Sequence, residues 1–248
     1  TILLLLFFLD ICSRNSVRII TLFRIITLSD RVKLISYTTN GQENTLSEIV
    51  AHCARVSNPS NQNNNSTAHK LLNYLKEHKH WSPFEMVNIC LEINTTRDIA
   101  RQILRHRSFT FQEFSQRYAN PKDLNTMFTT RETRLQDKTN RQNSIEIESD
   151  PSLAENSGYL NLITEWGQRQ RSVINAAQTA YEWAISNNIA KEQARCVLPE
   201  GLTMSRLYMN GTLRSWLHYF EIRCNADTQK EHRQIATDAR HIITKLIQ

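Results

Sequence analysis

The chain has 248 residues, 40% of them hydrophobic and 22% charged, with only five glycines and five prolines. These proportions exclude a collagen-like, linker-dominated or disordered chain, and the length suits one domain of ordinary to large size or two small ones. A formal net charge of +6 and a pI near 9.2 favour anionic partners without choosing among nucleic acid, acidic membrane and phosphorylated small molecules.

The first ten residues, TILLLLFFLD, are apolar but too short to span a bilayer, and no positive charge precedes them as in a signal peptide. Residues 1–30 therefore read either as an upstream extension foreign to the domain or as an unusual leader. The folded domain is expected over 31–248. Its first strand is RVKLISY (Arg31 to Tyr37). Thr45-x-x-Glu48 forms a capping box, and Leu46, Ile49, Val50 and Cys53 continue as an amphipathic helix ending near Ser57. After a polar loop, Ala68, Leu71, Leu72 and Leu75 mark a second helix.

Between Phe84 and Ile93 the period falls to two, with Val87, Ile89, Leu91 and Ile93 alternating with polar residues as in a half-buried strand. Arg97 to Arg105 returns to helical spacing, with Arg97, Arg101 and Arg105 four apart in their own stripe. Residues 120–156 are polar and weakly periodic, which reads as a surface insertion or an active-site flap. A long helix follows, with Leu162, Ile163, Trp166, Val173, Ala177, Tyr181 and Ala184 on its apolar side, then a shorter one stopping at Leu198-Pro199. Thr203 to Met209 is expected as a strand closed by Asn210-Gly211. Thr212 caps a helix with Leu213, Trp216, Leu217 and Phe220 on its core side and Arg214 and His218 opposite. The last helix opens on a box at Thr228-x-x-Glu231. Strands and helices mix without βαβ regularity, so the class is α+β, with a mostly antiparallel sheet and surrounding helices expected in a single domain.

Cys12, Cys53, Cys90, Cys196 and Cys224 are scattered, without a C-x-x-C pair. Neither metal-ligand spacing nor a disulfide framework is expected, and reduced thiols imply the cytoplasm. Neither G-x-G-x-x-G nor G-x-x-x-x-G-K-[ST] occurs, so a Rossmann or P-loop nucleotide site is unsupported. The four tryptophans read as core or interface residues.

The densest chemical signal is RQILRHRSFTFQEFSQRY, Arg101 to Tyr118, in which four arginines and one histidine stand against a single acid, Glu113. A solvated basic helix face is the bland reading of such a stripe. Consecutive Arg105, His106 and Arg107 at a helix end instead splay in different directions, and guanidinium forks bind phosphate oxygens bidentately.

RHR, then seven residues, then Ser115 resembles the signature of the flavin-dependent thymidylate synthases, extended by Glu113, Arg117 and Tyr118. Further blocks match in order: ARVS at Ala54, HWSPFE at His80, RLQDKTNRQNS at Arg134, ARCVLP at Ala194, NGTLRSWLHYFEIR at Asn210 and TQKEHR at Thr228. The resemblance covers Val32 to Leu246. It departs at His218, which is Asn in some members, and at Met86, where His is common.

The resemblance implies reductive methylation of dUMP to dTMP, with methylenetetrahydrofolate as carbon donor, reduced FAD as hydride source and NADPH as electron donor. It places Ser57, His80, Ser82, Arg105, His106, Arg107, Glu113, Arg214 and His218 on FAD. It places Gln102, Arg105, Glu113, Ser115, Arg117, Arg195 and Arg223 on dUMP, with Arg223 as the catalytic residue that stabilises ionised uracil. It also implies a homotetramer with active sites between subunits, and no metal. The chemistry agrees, because side chains cannot donate hydride and a flavin must carry it. No Cys stands in the Pro-Cys-His setting of a nucleophile, so Cys196 and Cys224 read as packed thiols. Ser115 lacks an adjacent base and is read as a hydrogen-bonding group, and a structural ion pair is the lesser alternative reading of Glu113. The rival is a basic α+β module that holds nucleic acid without catalysis, for which affinity falls steeply with salt.

Overall fold

The computed structural model describes residues 31–42, 44–124, 126–147, 153 and 156–248. The expected leader, residues 1–30, and Cys12 lie outside them. In chain order the elements are β1 (Val32–Tyr37), α1 (Leu46–Ala54), α2 (Ala68–Glu77), β2 (Asn88–Thr96), α3 (Arg97–Ile103), β3 (Thr110–Glu113), β4 (Arg134–Gln136), β5 (Ser144–Glu146), α4 (Ser157–Ser186), α5 (Lys191–Ala194), β6 (Met204–Thr212), α6 (Leu213–Arg223) and α7 (Lys230–Ile247). The α+β arrangement expected from the sequence is the one observed.

Four strands form a sheet in the order β1-β2-β6-β3, each neighbouring pair antiparallel. Its two faces follow from the period of two. Ile89, Leu91 and Ile93 of β2 and Leu207 and Met209 of β6 are fully buried and pack with Leu46 and Val50 of α1, Ile99 and Ile103 of α3, Trp216 and Tyr219 of α6 and Ile235 and Ala239 of α7. Each such side chain contributes roughly 1.5–3 kcal/mol relative to exposure. The opposite face is polar. There Tyr208 Oη donates to Glu92 Oε2 at 3.1 Å and Arg206 Nε to Asn94 Oδ1 at 2.9 Å.

The Thr45 capping box forms as expected, with Thr45 N–H donating to Glu48 Oε2 at 2.8 Å and Glu48 N–H to Thr45 Oγ1 at 3.4 Å. The helix stops at Ala54, short of Ser57, and the three residues after it, Arg55 to Ser57, run in turns. A second helix ends in a Schellman motif. Lys79, at φ +56°, turns the chain so that His80 N–H reaches Leu75 O at 2.8 Å.

Three expectations are corrected. Asn210-Gly211 is not a hairpin turn: β6 runs on to Thr212, and Asn210 and Gly211 pair with Cys90 and Ile89. The glycine serves packing, since a Cβ at position 211 would lie 2.4 Å from Phe109 Cδ1. Thr228 does not cap α7; it donates its hydroxyl to Ile222 O at 3.2 Å, while Glu231 is drawn away to Arg134 and Arg131. On α4, Leu162, Trp166 and Val173 are exposed, not buried. Its buried positions are Gln170, bonded to the Arg131 backbone, and Ala177, Tyr181 and Ala184, of which Tyr181 and Ala184 pack with Ala194 and Leu198.

Within the polar segment, β4 and β5 pair as a hairpin. Lys230 at the start of α7 ties to it through Glu132 at 3.0 Å and Glu146 at 2.8 Å. The hairpin, the first half of α4 and the start of α7 line a cavity of about 600 Å³.

Candidate active site

The strand β2 runs directly into α3, whose last turn delivers the Arg105-His106-Arg107 triplet to the loop before edge strand β3. Leu104 and His106 close that helix end through bonds to Ala100 O and Ile103 O. Arg105 and Arg107 are exposed and His106 is half-buried. His106 rests edge-on against Tyr219, ring centroids 4.9 Å apart, and its Nε2 accepts from Arg223 Nε at 2.9 Å. The donated bond assigns the proton to Nδ1. Burial lowers the His106 pKa to about 4, helped by the positive charges of Arg223 and Arg105. The imidazole is thus a neutral acceptor that fixes one edge of the Arg223 guanidinium. Arg105, Arg107 and the other nitrogens of Arg223 have no hydrogen-bonded or ion-paired side-chain partner among the described residues.

The four-residue spacing of Arg214 and His218 puts both on one exposed face of α6. They line a cleft of about 510 Å³ with Lys79, Trp81, Glu85 and Ser108, so the cleft lies beside the triplet. Arg214 ion-pairs with Glu85 across it. His80 and Ser82 flank Trp81 in the connection that follows the Lys79 turn, both exposed.

A second group forms around Glu192 at the start of α5. Arg117 Nε lies 3.7 Å from its carboxylate, and Arg195 Nε donates to its backbone carbonyl at 3.3 Å. Ser115 starts the turn that carries Arg117, its carbonyl accepting from Tyr118 and Ala119 N–H at 3.1 Å each. Glu113, at the end of β3, accepts from Ser205 Oγ at 2.9 Å and lies 3.6 Å from Arg97. Ser57 belongs to neither group; it lines a separate cleft with Arg55, Asn58, Lys70 and Tyr74. The arginine stripe of α3 is also dispersed: Arg97 goes to Glu113, Arg101 to Glu200 at 2.5 Å, and Arg105 lies past the helix end.

Gln102, half-buried on α3, touches residues that the sequence reading did not single out. His232 Nδ1 lies 3.4 Å from its Oε1, and Gln229 Oε1 accepts from its Nε2 at 2.8 Å. His232 and Tyr219 sit in blocks already matched by the resemblance. The signal for Tyr219 was its place four residues before Arg223, one turn below it on the same helix face.

The model of the family described as "Thymidylate synthase complementing protein" matches residues 33–247. A flavin-dependent thymidylate synthase from Synechocystis sp. is 48% identical over 198 residues, 79% of this chain and 84% of that protein. The chain belongs to the flavin-dependent thymidylate synthase family. A probable family member from Paramecium bursaria Chlorella virus 1 is 43% identical over 215 residues, 86% of this chain and 93% of that one. Among solved structures, the UMP/dUMP methylase PolB from Streptomyces cacaoi bound with 5-Br dUMP superposes with a TM-score of 0.68 at 23% identity, over 87% of this chain and 90% of that one. At that identity the likeness establishes the fold shared with this family. Among the described residues no helix is long and apolar enough to cross a membrane, and Cys53, Cys90, Cys196 and Cys224 are free.

Proposed function

We propose that the chain converts dUMP to dTMP as one catalytic domain over residues 31–248, taking the carbon from methylenetetrahydrofolate, the hydride from reduced FAD and electrons from NADPH, in the cytoplasm. The observation that carries this reading is the gathering of Arg105, Arg107 and Arg223 around a neutral His106, with guanidinium forks left without acidic partners. Such forks match phosphate and ionised-carbonyl oxygens.

The residues present fit a flavin dinucleotide. Arg105 and Arg107 offer forks for its phosphates, and the adjoining cleft offers an indole wall at Trp81 with Arg214 and His218 at its rim. His80 and Ser82 border the same wall, and Ser57 and Glu113 complete the proposed FAD set. Bound reduced flavin supplies the hydride that completes the methyl group. Gln102, Arg105, Glu113, Ser115, Arg117 and Arg195 bind the nucleotide. Arg223, its Nε held by His106, directs its terminal nitrogens at the uracil, where a fixed cation stabilises charge developing on the ring.

Two observations support a homotetramer with active sites between subunits. The proposed site residues fall into separate groups on one chain, around Tyr219, around Glu192 and beside Arg55. The first part of α4 presents Leu162, Trp166 and Val173, each between 41% and 49% exposed, as an apolar face needing cover.

The flavin assignment is tested on the purified protein by its absorbance spectrum. Arg105→Ala and His106→Ala are expected to lower the flavin retained per chain. Arg223→Ala is expected to keep the flavin and lose dTMP formation. Normal turnover by Arg223→Ala contradicts the role given to that residue.

A further inference from the structure

Behind Gln102 runs a line of polar side chains that the proposed reaction does not use. His232 is fully buried and Tyr219 is 1% exposed, yet both carry hydrogen-bonding groups that burial obliges to find partners. His232 Nε2 lies 3.0 Å from Tyr219 Oη, and its Nδ1 faces Gln102 Oε1. Beyond Gln102, Gln229 Nε2 reaches Glu231 Oε2 at 3.0 Å, and Glu231 is held by Arg134 at 2.5 Å and Arg131 at 3.7 Å.

Reading from the carboxylate outward assigns every proton in this line. An ion-paired Glu231 only accepts, so Gln229 turns its amide nitrogen toward it and its oxygen toward Gln102. Gln102 must then give its own nitrogen to Gln229 and keep its oxygen for His232. His232 therefore donates from Nδ1 and accepts the Tyr219 hydroxyl at Nε2. A neutral imidazole is required, and burial keeps it so, lowering the pKa to about 3 with help from the positive Arg223 and from His106. The two ends of an amide are nearly isosteric. Without such a line Gln102 has two orientations of similar energy, one offering a donor and the other an acceptor at the same point.

We propose that His232, backed by Tyr219, is a positioning residue that holds Gln102 where it meets the nucleotide, in the amide orientation that Glu231 selects through Gln229. This rests on the reading that Gln102 binds dUMP. The lock acts from beneath, through one neutral hydrogen bond, and touches neither substrate nor flavin. Its loss should weaken dUMP binding without lowering flavin content. Because His232 works through Gln102, its effect must vanish once the amide is gone.

The test is a double-mutant cycle on the flavin-loaded protein, reading the dUMP dissociation constant by calorimetry, with flavin content and melting temperature measured on each variant. His232→Leu is expected to raise that constant roughly three- to ten-fold, the range for one neutral hydrogen bond. In a Gln102→Ala background it should add nothing. His232→Gln, which can donate to Gln102 and accept from Tyr219, should restore binding to within about twofold. Tyr219→Phe, a milder change, should show a smaller rise that also vanishes with Gln102→Ala, and it decides the matter even where the Leu variant does not fold. Multiplying effects in the double variants, or unchanged binding in the singles, overturn the inference. A wild-type protein that binds no dUMP overturns the substrate reading instead.

Discussion

The sharpest electrostatic prediction concerns His106 and the guanidinium beside it. Arg223→Gln removes a positive charge but keeps an N–H able to reach the imidazole. The His106 pKa lies at about 4 against 6.5 for an unperturbed side chain, a difference of about 2.5, or about 3.4 kcal/mol at 1.36 kcal/mol each. Burial is the largest cause and Arg223 the second, so Arg223 accounts for no more than half, about 1.7 kcal/mol. Coulomb's law brackets the same quantity: two unit charges about 4 Å apart repel by about 4 kcal/mol at an effective dielectric of 20 and about 1 kcal/mol in water. A half-exposed ring falls toward the lower figure. The substitution should therefore raise the His106 pKa by roughly one unit and leave it below 6.5, because burial persists. Titration of the imidazole protons by NMR, with the His106 signal identified by its loss in His106→Gln, reads this directly. An unchanged pKa would show that Arg223 is not beside the ring; a full return to 6.5 would show that burial is not the main cause.

Two other outcomes follow from the packing. His232, held neutral chiefly by burial, has a folded pKa of about 3 against 6.5 unfolded, so the unfolded chain takes up its proton first as pH falls. Stability from this residue is then complete above pH 6.5 and is lost downward, by about 2 kcal/mol between pH 6.5 and 5 (1.5 × 1.36). Urea denaturation at fixed protomer concentration should show a shallower pH slope for His232→Gln than for the wild type; equal slopes contradict the assignment. Gly211→Ala sets a methyl against the Phe109 ring, which is confined by Trp216 and Tyr219, and should cost about 1–3 kcal/mol. Phe109→Leu in the same chain should recover part of the loss, and an unaffected midpoint for Gly211→Ala would mean that the strand and ring are not in contact.

Local chemistry was legible wherever one segment decides its own structure. The Thr45-Glu48 box and the two-residue alternation of β2 needed no knowledge of partners, and both formed. Asn210-Gly211 has the composition of a hairpin turn, but that signal cannot distinguish a glycine needed for positive φ from one needed because an aromatic ring approaches from 102 positions upstream (211 − 109). Thr228 and Glu231 had capping spacing, yet tertiary ion pairs to Arg131 and Arg134 won the carboxylate. On α4 the periodicity reported an apolar face and could not report what covers it. The proposed site was legible through the RHR triplet and the matched blocks. Its supporting layer was not, because Tyr219, His232 and Gln229 come together only when α3, α6 and α7 pack.

The most direct measurement is dTMP formation from dUMP, methylenetetrahydrofolate and NADPH under anaerobic conditions, with and without added FAD. The account predicts product that depends on flavin and disappears in Arg223→Ala. A well-folded protein that retains flavin but forms no dTMP would contradict the proposed reaction, and one that binds neither flavin nor dUMP would contradict the site itself.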